Sequence, residues 1–431
     1  MALRGLIIAA PGSGAGKTVI TLGLLRALRR RGVDVCSAKS GPDYIDPAFH
    51  AAASGGDCVN LDAWAMPSGA LRAMAHRQAG DLLLIEGAMG LFDGAPVAGG
   101  AMGKGSVADL AMVLGLPVVL VVDVARQGQS VAAVVAGLAG FREGVRIAGV
   151  ILNRVGSARH REMVVRAVEA IGVPVLGVVM RDARMGRQSR HLGLVQAGED
   201  PALEAFIDDA ADVVAEGLAL AALVDLAEAL PEAGVMPKIP PLGQRIAVAR
   251  DDAFAFAYPH ILAGWRMAGA EVSFFSPLAD EGPRADADAV FLPGGYPELH
   301  AGRLAGNIGF MGGLRAFQGE VYGECGGYMV LGEGLVDADG LRHEMLGLLP
   351  VSTSFASRKL HLGYRRLTAL QGPFKGHQLS AHEFHYAQII NSQPGDLFEA
   401  RDSLDTPLGK IGHRRGWVSG SFAHIIMPEL T

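Results

Sequence analysis

Three stretches of this 431-residue chain combine residue types and spacings that can do chemistry. The first is AAPGSGAGKT, from Ala9 to Thr18. Gly12, Gly14 and Gly16 let backbone N–H groups turn inward onto phosphate oxygens. The helix that follows adds partial positive charge at its N-terminus. Lys17 can reach the terminal phosphates of a nucleotide, and Thr18 offers a hydroxyl to Mg²⁺. Pro11 stands where the usual GxxxxGK[ST] pattern has its first glycine, but the SGAGKT ending is intact. The competing reading is a Gly-rich turn with an incidental lysine. The strand–loop–helix context favours MgATP.

The second stretch is acidic. GPDYIDP places Asp43 and Asp46 in a loop after an apolar run, and Glu86 ends the run LLLIE. Open α/β sheets bind ligands at strand C-termini. Mg²⁺ takes carboxylates together with phosphate and water oxygens. Thr18, Asp43 and Glu86 are therefore the expected metal ligands. Asp46 is assigned to substrate or metal positioning, against the alternative of a turn former beside Pro47. Lys39 is placed to neutralise a phosphoryl group in transfer. The Gly-rich stretch Gly94–Gly105 reads as a lid or substrate loop.

The third is VYGECGGY. Glycines on both sides of Cys325 permit a sharp strand-to-helix turn that presents a nucleophile. The helix end is expected to lower the thiol pKa. The amide of Gly326 can donate to an oxyanion, and Gly295, in PGGYPE, is the expected second donor. A cysteine nucleophile needs a base. His424 in GSFAHII is the first candidate; His382 and His385 in HEFHYA are the second. Cys36 and Cys58 lack such surroundings and read as inert.

Elements that could position these residues are legible in the hydrophobic pattern. Continuous apolar runs at Leu6–Ala10, Val33–Ala38, Leu82–Glu86, Pro117–Asp123, Ile147–Leu152 and Val173–Val179 alternate with helical patterns. Such runs mark strands buried on both faces of a mostly parallel, doubly wound sheet. Residues 1–198 form the expected P-loop domain. Residues 199–242 read as a helical segment and a Pro/Gly-rich linker. Residues 243–431 begin a second α/β pattern, with antiparallel or mixed strands after Leu346. Half of the residues are apolar and the formal charge is −6, which excludes disorder and a broad basic nucleic-acid surface. Three cysteines without CxxC argue against disulfides or zinc and for a cytoplasmic setting. No apolar run is long enough to span a membrane.

Taken in order, SGAGKT, KSGPDYIDPAFH, NLDAWAM, IEGAMGLFDG, ARDDAFAF, FLPGGYPELH, GECGGYM, HEFHY and GSFAHI make the chain resemble the glutamine-dependent cobyrinic or hydrogenobyrinic acid a,c-diamide synthases over nearly its whole length. The N-terminal half is also similar to dethiobiotin synthetase, and the C-terminal half resembles a class I glutamine amidotransferase. The resemblance implies ATP, glutamine and a corrin polycarboxylate as small-molecule substrates. It also implies Cys325 as nucleophile, His424 as base and an acyl phosphate intermediate. Asn153 matches an adenine-contacting residue, against the alternative of a strand-end turn cap. The motif wording lies nearer to enzymes that take the metal-free corrin. The usual class I triad has a Glu two residues after the His; Ile426 stands there, which leaves the third member unassigned. A homodimer is left open. The alternatives are an amidotransferase for another polycarboxylate macrocycle and a non-enzymatic nucleotide switch.

Overall fold

The computed structural model describes residues 3–186 and 197–429. The chain divides into two compact units, Met1–Met236 and Pro237–Thr431.

In the first unit the strands are β1 (Arg4–Ala9), β2 (Val35–Ser40), β3 (Cys58–Leu61), β4 (Leu82–Glu86), β5 (Val118–Asp123), β6 (Ile147–Val155) and β7 (Val175–Met180). They pair in the order β3-β2-β4-β1-β5-β6-β7, all parallel. A short β8 (Glu228–Ala229) joins β1 antiparallel. The central strands are buried on both faces because they carry almost nothing polar before their C-terminal ends. The helices α1 (Lys17–Arg30), α2 (Asp46–Ser54), α3 (Ser68–His76), α4 (Val107–Leu114), α5 (Val131–Gly140) and α6 (Ala158–Glu169) lie between successive strands. The sequence places Asp46 in a loop; in the structure it opens α2.

Two further helices, α7 (Leu203–Gly217) and α8 (Leu220–Asp225), come from the stretch read as a helical segment ahead of the Pro/Gly-rich linker. They belong to the first unit. Phe206, Ile207, Ala211 and Val214 of α7 share a buried cluster with Ile20, Leu24 and Leu28 of α1. Gly23 makes this approach close: a Cβ there would stand 2.6 Å from the Ala210 carbonyl oxygen.

The second unit holds β9 (Arg245–Ala249), α9 (Pro259–Met267), β10 (Glu271–Phe275), β11 (Ala289–Leu292), α10 (Ala301–Gly306), α11 (Ile308–Ala316), β12 (Glu320–Glu324) and α12 (Gly326–Leu331). The rest is strand: β13 (Gly334–Val336), β14 (Arg342–Glu344), β15 (Val351–Ser354), β16 (His361–Ala369), β17 (Gln378–His385), β18 (Gln388–Ser392), β19 (Phe398–Asp402), β20 (Pro407–Ile411), β21 (His413–Arg415), β22 (Val418–Ser421) and β23 (His424–Pro428). The main sheet runs β10-β9-β11-β12-β22-β21, parallel except for β21. An antiparallel sheet runs β20-β19-β16-β17-β23, and a small mixed one β14-β13-β15-β18. The alternating, β-branched pattern after Leu346 is thus read out as mainly antiparallel pairing, with β15 parallel to β13 and β22 parallel to β12. Residues before β9 pack on this unit, with Trp265 Nε1 donating to the Pro240 carbonyl at 3.1 Å.

Gly23→Leu should force α7 off α1 and cost the first unit about 1–3 kcal/mol. Urea denaturation measures it; an unchanged midpoint would contradict the packing described.

Candidate functional sites

At the first site, β1 ends at Ala9 and residues 10–16 turn into α1. Gly16 sits at φ 89°, and a Cβ there would collide with Asn153 Nδ2. Only glycine meets both conditions. Asn153, at the end of β6, donates from Nδ2 to the Ala15 carbonyl at 2.9 Å and accepts from Arg154 N through Oδ1. It therefore braces the loop. Arg154, which sequence reasoning passed over, has φ 61° and binds both the Gly14 carbonyl at 3.0 Å and Asp123 at 2.5 Å. Lys17 Nζ reaches the Met89 carbonyl at 2.5 Å and the Gly12 carbonyl at 3.4 Å.

Glu86 is the hub beneath the loop. Parallel register sets it beside Ile8 of β1 and Lys39 of β2, and it is fully buried. Its Oε1 accepts from Thr18 Oγ1 at 2.7 Å and from Lys39 Nζ at 2.8 Å, and its Oε2 lies 2.5 Å from His50 Nε2. Lys39 also reaches Asp46 at 2.6 Å. Burial opposes each of these charges. For Glu86, the Lys39 and His50 cations outweigh burial and hold the carboxyl well below its ordinary range. For Lys39, Asp46 and Glu86 outweigh burial and hold the ammonium up. For His50, the Cys58 sulfur and Glu86 do so and raise it to about 10. Asp46 goes the other way: burial pushes it up to about 6 against the pull of Lys39. Thr18, Glu86, Lys39 and Asp46 are thus brought together. Asp43 is spent differently, at least in part: its Oδ1 accepts from the amides of Ile45 and Asp46, a turn that starts α2. The sequence carried His50 in KSGPDYIDPAFH, but nothing in its spacing pointed to a partner on β4.

The stretch Gly94–Gly105, read as a lid, is tied down at its far end. Ala101 and Met102 donate to the Trp64 and Ala63 carbonyls, and Ala95 donates to Lys104.

At the second site, β12 ends on Glu324 and Cys325 takes φ 47°, ψ −106° before α12. This is a sparsely populated backbone state for a side chain-bearing residue, and such strain concentrates at functional turns. The turn is fixed by Cys325 N donating to the Ser421 carbonyl at 2.9 Å and Gly327 N donating to Pro293 at 3.1 Å. A Cβ on Gly326 would come within 3.0 Å of Gly295 N, so the two expected oxyanion donors belong to one cleft. A Cβ on Gly294 would strike the His424 ring at Cε1, with Nε2 3.1 Å and the Cys325 Cβ 3.3 Å away. Cys325 and His424, the expected nucleophile and base, thus meet over a residue that must be glycine.

The titration state corrects one expectation. Burial, with Glu298 adding to it, pushes the Cys325 thiol up rather than down. The six-residue α12 does not offset this. His424 is lowered to about 3, first by burial and then by His382 and His385. Burial thus disfavours the thiolate–imidazolium form of the pair. His385 is engaged at both nitrogens, with Ala387 at 3.0 Å and Glu383 at 2.9 Å. His382 lies opposite His424 in the β17–β23 register. Among the described residues, His361, Glu383 and His385 bring ligand atoms within 4.8 Å of one another. However, Arg365 already holds Glu383 at 2.7 Å, and the two imidazoles stack face to face.

A P-loop nucleotide-binding unit and a glutamine amidotransferase unit on one chain define a glutamine-dependent ligase. Residues 6–194 match the CobQ/CobB/MinD/ParA nucleotide binding domain, and residues 245–429 match the CobB/CobQ-like glutamine amidotransferase domain. The chain is 56% identical to hydrogenobyrinate a,c-diamide synthase of Brucella anthropi, covering 98% of each. It is 56% identical to the synthase of Rhizobium meliloti, covering 98% of this chain and 99% of that one. Among solved structures, the septum site-determining protein MinD complexed with Mg-ADP from Pyrococcus horikoshii is 21% identical, covers 49% of this chain and 96% of that chain, and has a TM-score of 0.31. The chain belongs to the hydrogenobyrinate a,c-diamide synthase family. No helix among its described residues is long and apolar enough to cross a membrane.

Lys39→Met would leave Glu86 and Asp46 buried beside each other without their shared cation. The expected cost is about 3–5 kcal/mol in the first unit, read by denaturation. A loss under about 1 kcal/mol would mean that the carboxylates are otherwise neutralised.

Proposed function

We propose that this enzyme amidates the a and c side-chain carboxylates of hydrogenobyrinic acid, with ATP and glutamine as co-substrates, as a step of cobalamin biosynthesis in the cytoplasm. The observation that carries this reading is 56% identity across 98% of the chain to synthases of that name. Both sets of site residues stand in the matching regions.

At the second site the Cys325 sulfur attacks the glutamine carboxamide carbon. His424, neutral at any ordinary pH, takes the thiol proton and passes it to the departing nitrogen. Ammonia and a glutamyl thioester result, and water cleaves the thioester. The amides of Gly295 and Gly326 hold the oxyanion. A raised thiol pKa suits this order of events: the thiolate forms only as its proton is taken by the base.

At the first site the substrate carboxylate attacks the γ-phosphorus of ATP, and ADP leaves. Ammonia then displaces phosphate from the acyl phosphate. Gly12, Gly14 and Gly16 shape the phosphate cradle, and Lys17 carries developing negative charge. Mg²⁺ accompanying ATP supplies further charge neutralisation; the Thr18 hydroxyl and Glu86, 2.7 Å apart, are hard oxygen donors that fit it. Asp43 is the third expected ligand through its remaining carboxylate oxygen. Lys39 and Asp46 orient Glu86 and the incoming carboxylate. Asn153 would meet adenine only from the loop side it already braces.

Cys325→Ala should abolish glutamine-dependent synthesis and retain ammonia-dependent synthesis, measured by mass spectrometry of the corrin product. Loss of both would refute separate sites for nitrogen release and carboxylate activation. With parent enzyme, hydrogenobyrinic acid should yield a diamide faster than cobyrinic acid. Equal rates would remove the preference for the metal-free corrin, and no diamide from either would overturn the substrate.

A further inference from the structure

We propose that Glu324 is the positioning residue that completes the Cys325–His424 pair, entering from the strand before the nucleophile instead of from two residues after the base. The proposal rests on the reading of Cys325 and His424 as the glutaminase pair. Ile426 occupies the usual place of the acid; it is fully buried, and its carbonyl accepts from His260 Nε2 at 2.7 Å.

The geometry divides the two nitrogens of His424. Nε2 faces Gly294 and the Cys325 side of the cleft. Nδ1 faces Glu324, whose Oε2 lies 3.8 Å away. Contacts of this looseness are usual before substrate binds and tighten in the complex. Glu324 is itself held in place: its Oε1 accepts the amide of Ile425, the residue next to the base, at 3.0 Å. The carboxyl thus grips the backbone of β23 with one oxygen and addresses the imidazole with the other. Pairing of β12 with β22 sets Glu324 beside Ser421, three residues before His424, so the strand order itself delivers this contact. The other acid near the base, Glu383, is held by Arg365 and His385. His382 and His385 face the base as further titratable groups.

An oxygen of Glu324 accepts Nδ1–H in either protonation state of the carboxyl. That bond leaves the Nε2 lone pair for the thiol proton, which Nε2 later returns to the leaving nitrogen. No proton moves to or from Glu324. Burial pushes the carboxyl up to about 8, so it takes up a proton on folding. For an acid raised in the folded state, the penalty is absent below its ordinary pKa, grows as pH rises, and is complete above about 8.

Glu324→Leu and Glu324→Gln test the assignment. E324L should lower glutaminase kcat about 100-fold with KM for glutamine within about threefold, and ammonia-dependent synthesis should be unchanged. E324Q should recover only part of the rate, because its single carbonyl oxygen must serve either the Ile425 amide or Nδ1–H. E324Q should also melt above the parent enzyme beyond about pH 8, which separates lost rate from lost stability. If E324L does not fold, ¹⁵N-histidine NMR of the parent enzyme decides: protonation of His424 at Nδ1 supports the proposal and protonation at Nε2 overturns it. An E324L kcat within about twofold of parent, with C325A and H424A inactive, would also overturn it. Glutaminase activity in C325A would instead refute the underlying pair.

Discussion

The burial of Glu86 at the end of β4 is the constraint on which the first unit depends. A carboxylate cannot stay ionised at zero exposure without counter-charge and donors. The fold supplies them from three separate elements: Thr18 from α1, Lys39 from β2 and His50 from α2. Each of these elements also borders the phosphate loop or the GPDYIDP turn. The acid therefore does two things at once. It fixes the loop relative to the acidic turn, and it sets a carboxylate oxygen 2.7 Å from the Thr18 hydroxyl just after the loop. A hydrophobic residue at position 86 would pack more cheaply and hold nothing in register.

The second unit depends on a different economy, that of absent side chains. Gly294 yields its volume to the His424 ring, and Gly326 lets the Gly295 amide close in. Cys325 bears the backbone strain that results. Strand pairing then does the positioning. β12 and β22 run parallel into the cleft, and β23 returns antiparallel to β17 with His424 opposite His382. The base is thus carried by a sheet, which resists the small displacements that cost nucleophilic catalysis most.

Much of this was legible in the chain itself. Continuous apolar runs gave six of the seven parallel strands of the first unit to within a few residues, because residues buried on both faces leave no alternation to misread; the four-residue β3, with Asn60 inside it, carried no such run. SGAGKT and GECGGY announced their loops because glycine at those spacings has few other uses. What was not legible were partners brought in across the sheet. His50 and Glu324 sit within recognised motifs, yet their contacts lie 36 and 101 residues away, at Glu86 and at Ile425. Helix α7 was legible as a helix ahead of the Pro/Gly-rich linker, but its packing partner was not. Its Ala/Leu/Asp/Glu pattern states that it has an apolar face, not that the face fits the notch left by Gly23 on α1. The thiol was misjudged because a helix end was weighed and the depth of the cleft was not.

That misjudgement bears on how the enzyme avoids waste. A glutaminase with a standing thiolate hydrolyses glutamine whenever it binds. Here burial holds Cys325 protonated, and it also holds His424 neutral at about 3. Both departures disfavour the ion pair, so proton transfer from sulfur to nitrogen starts uphill. In the proposed mechanism this barrier is lowered by the Gly295 and Gly326 amides, which meet the developing oxyanion, and by the acceptor facing Nδ1. On the proposed reading, a bound glutamine meets a neutral, poorly nucleophilic thiol until an oxyanion begins to form.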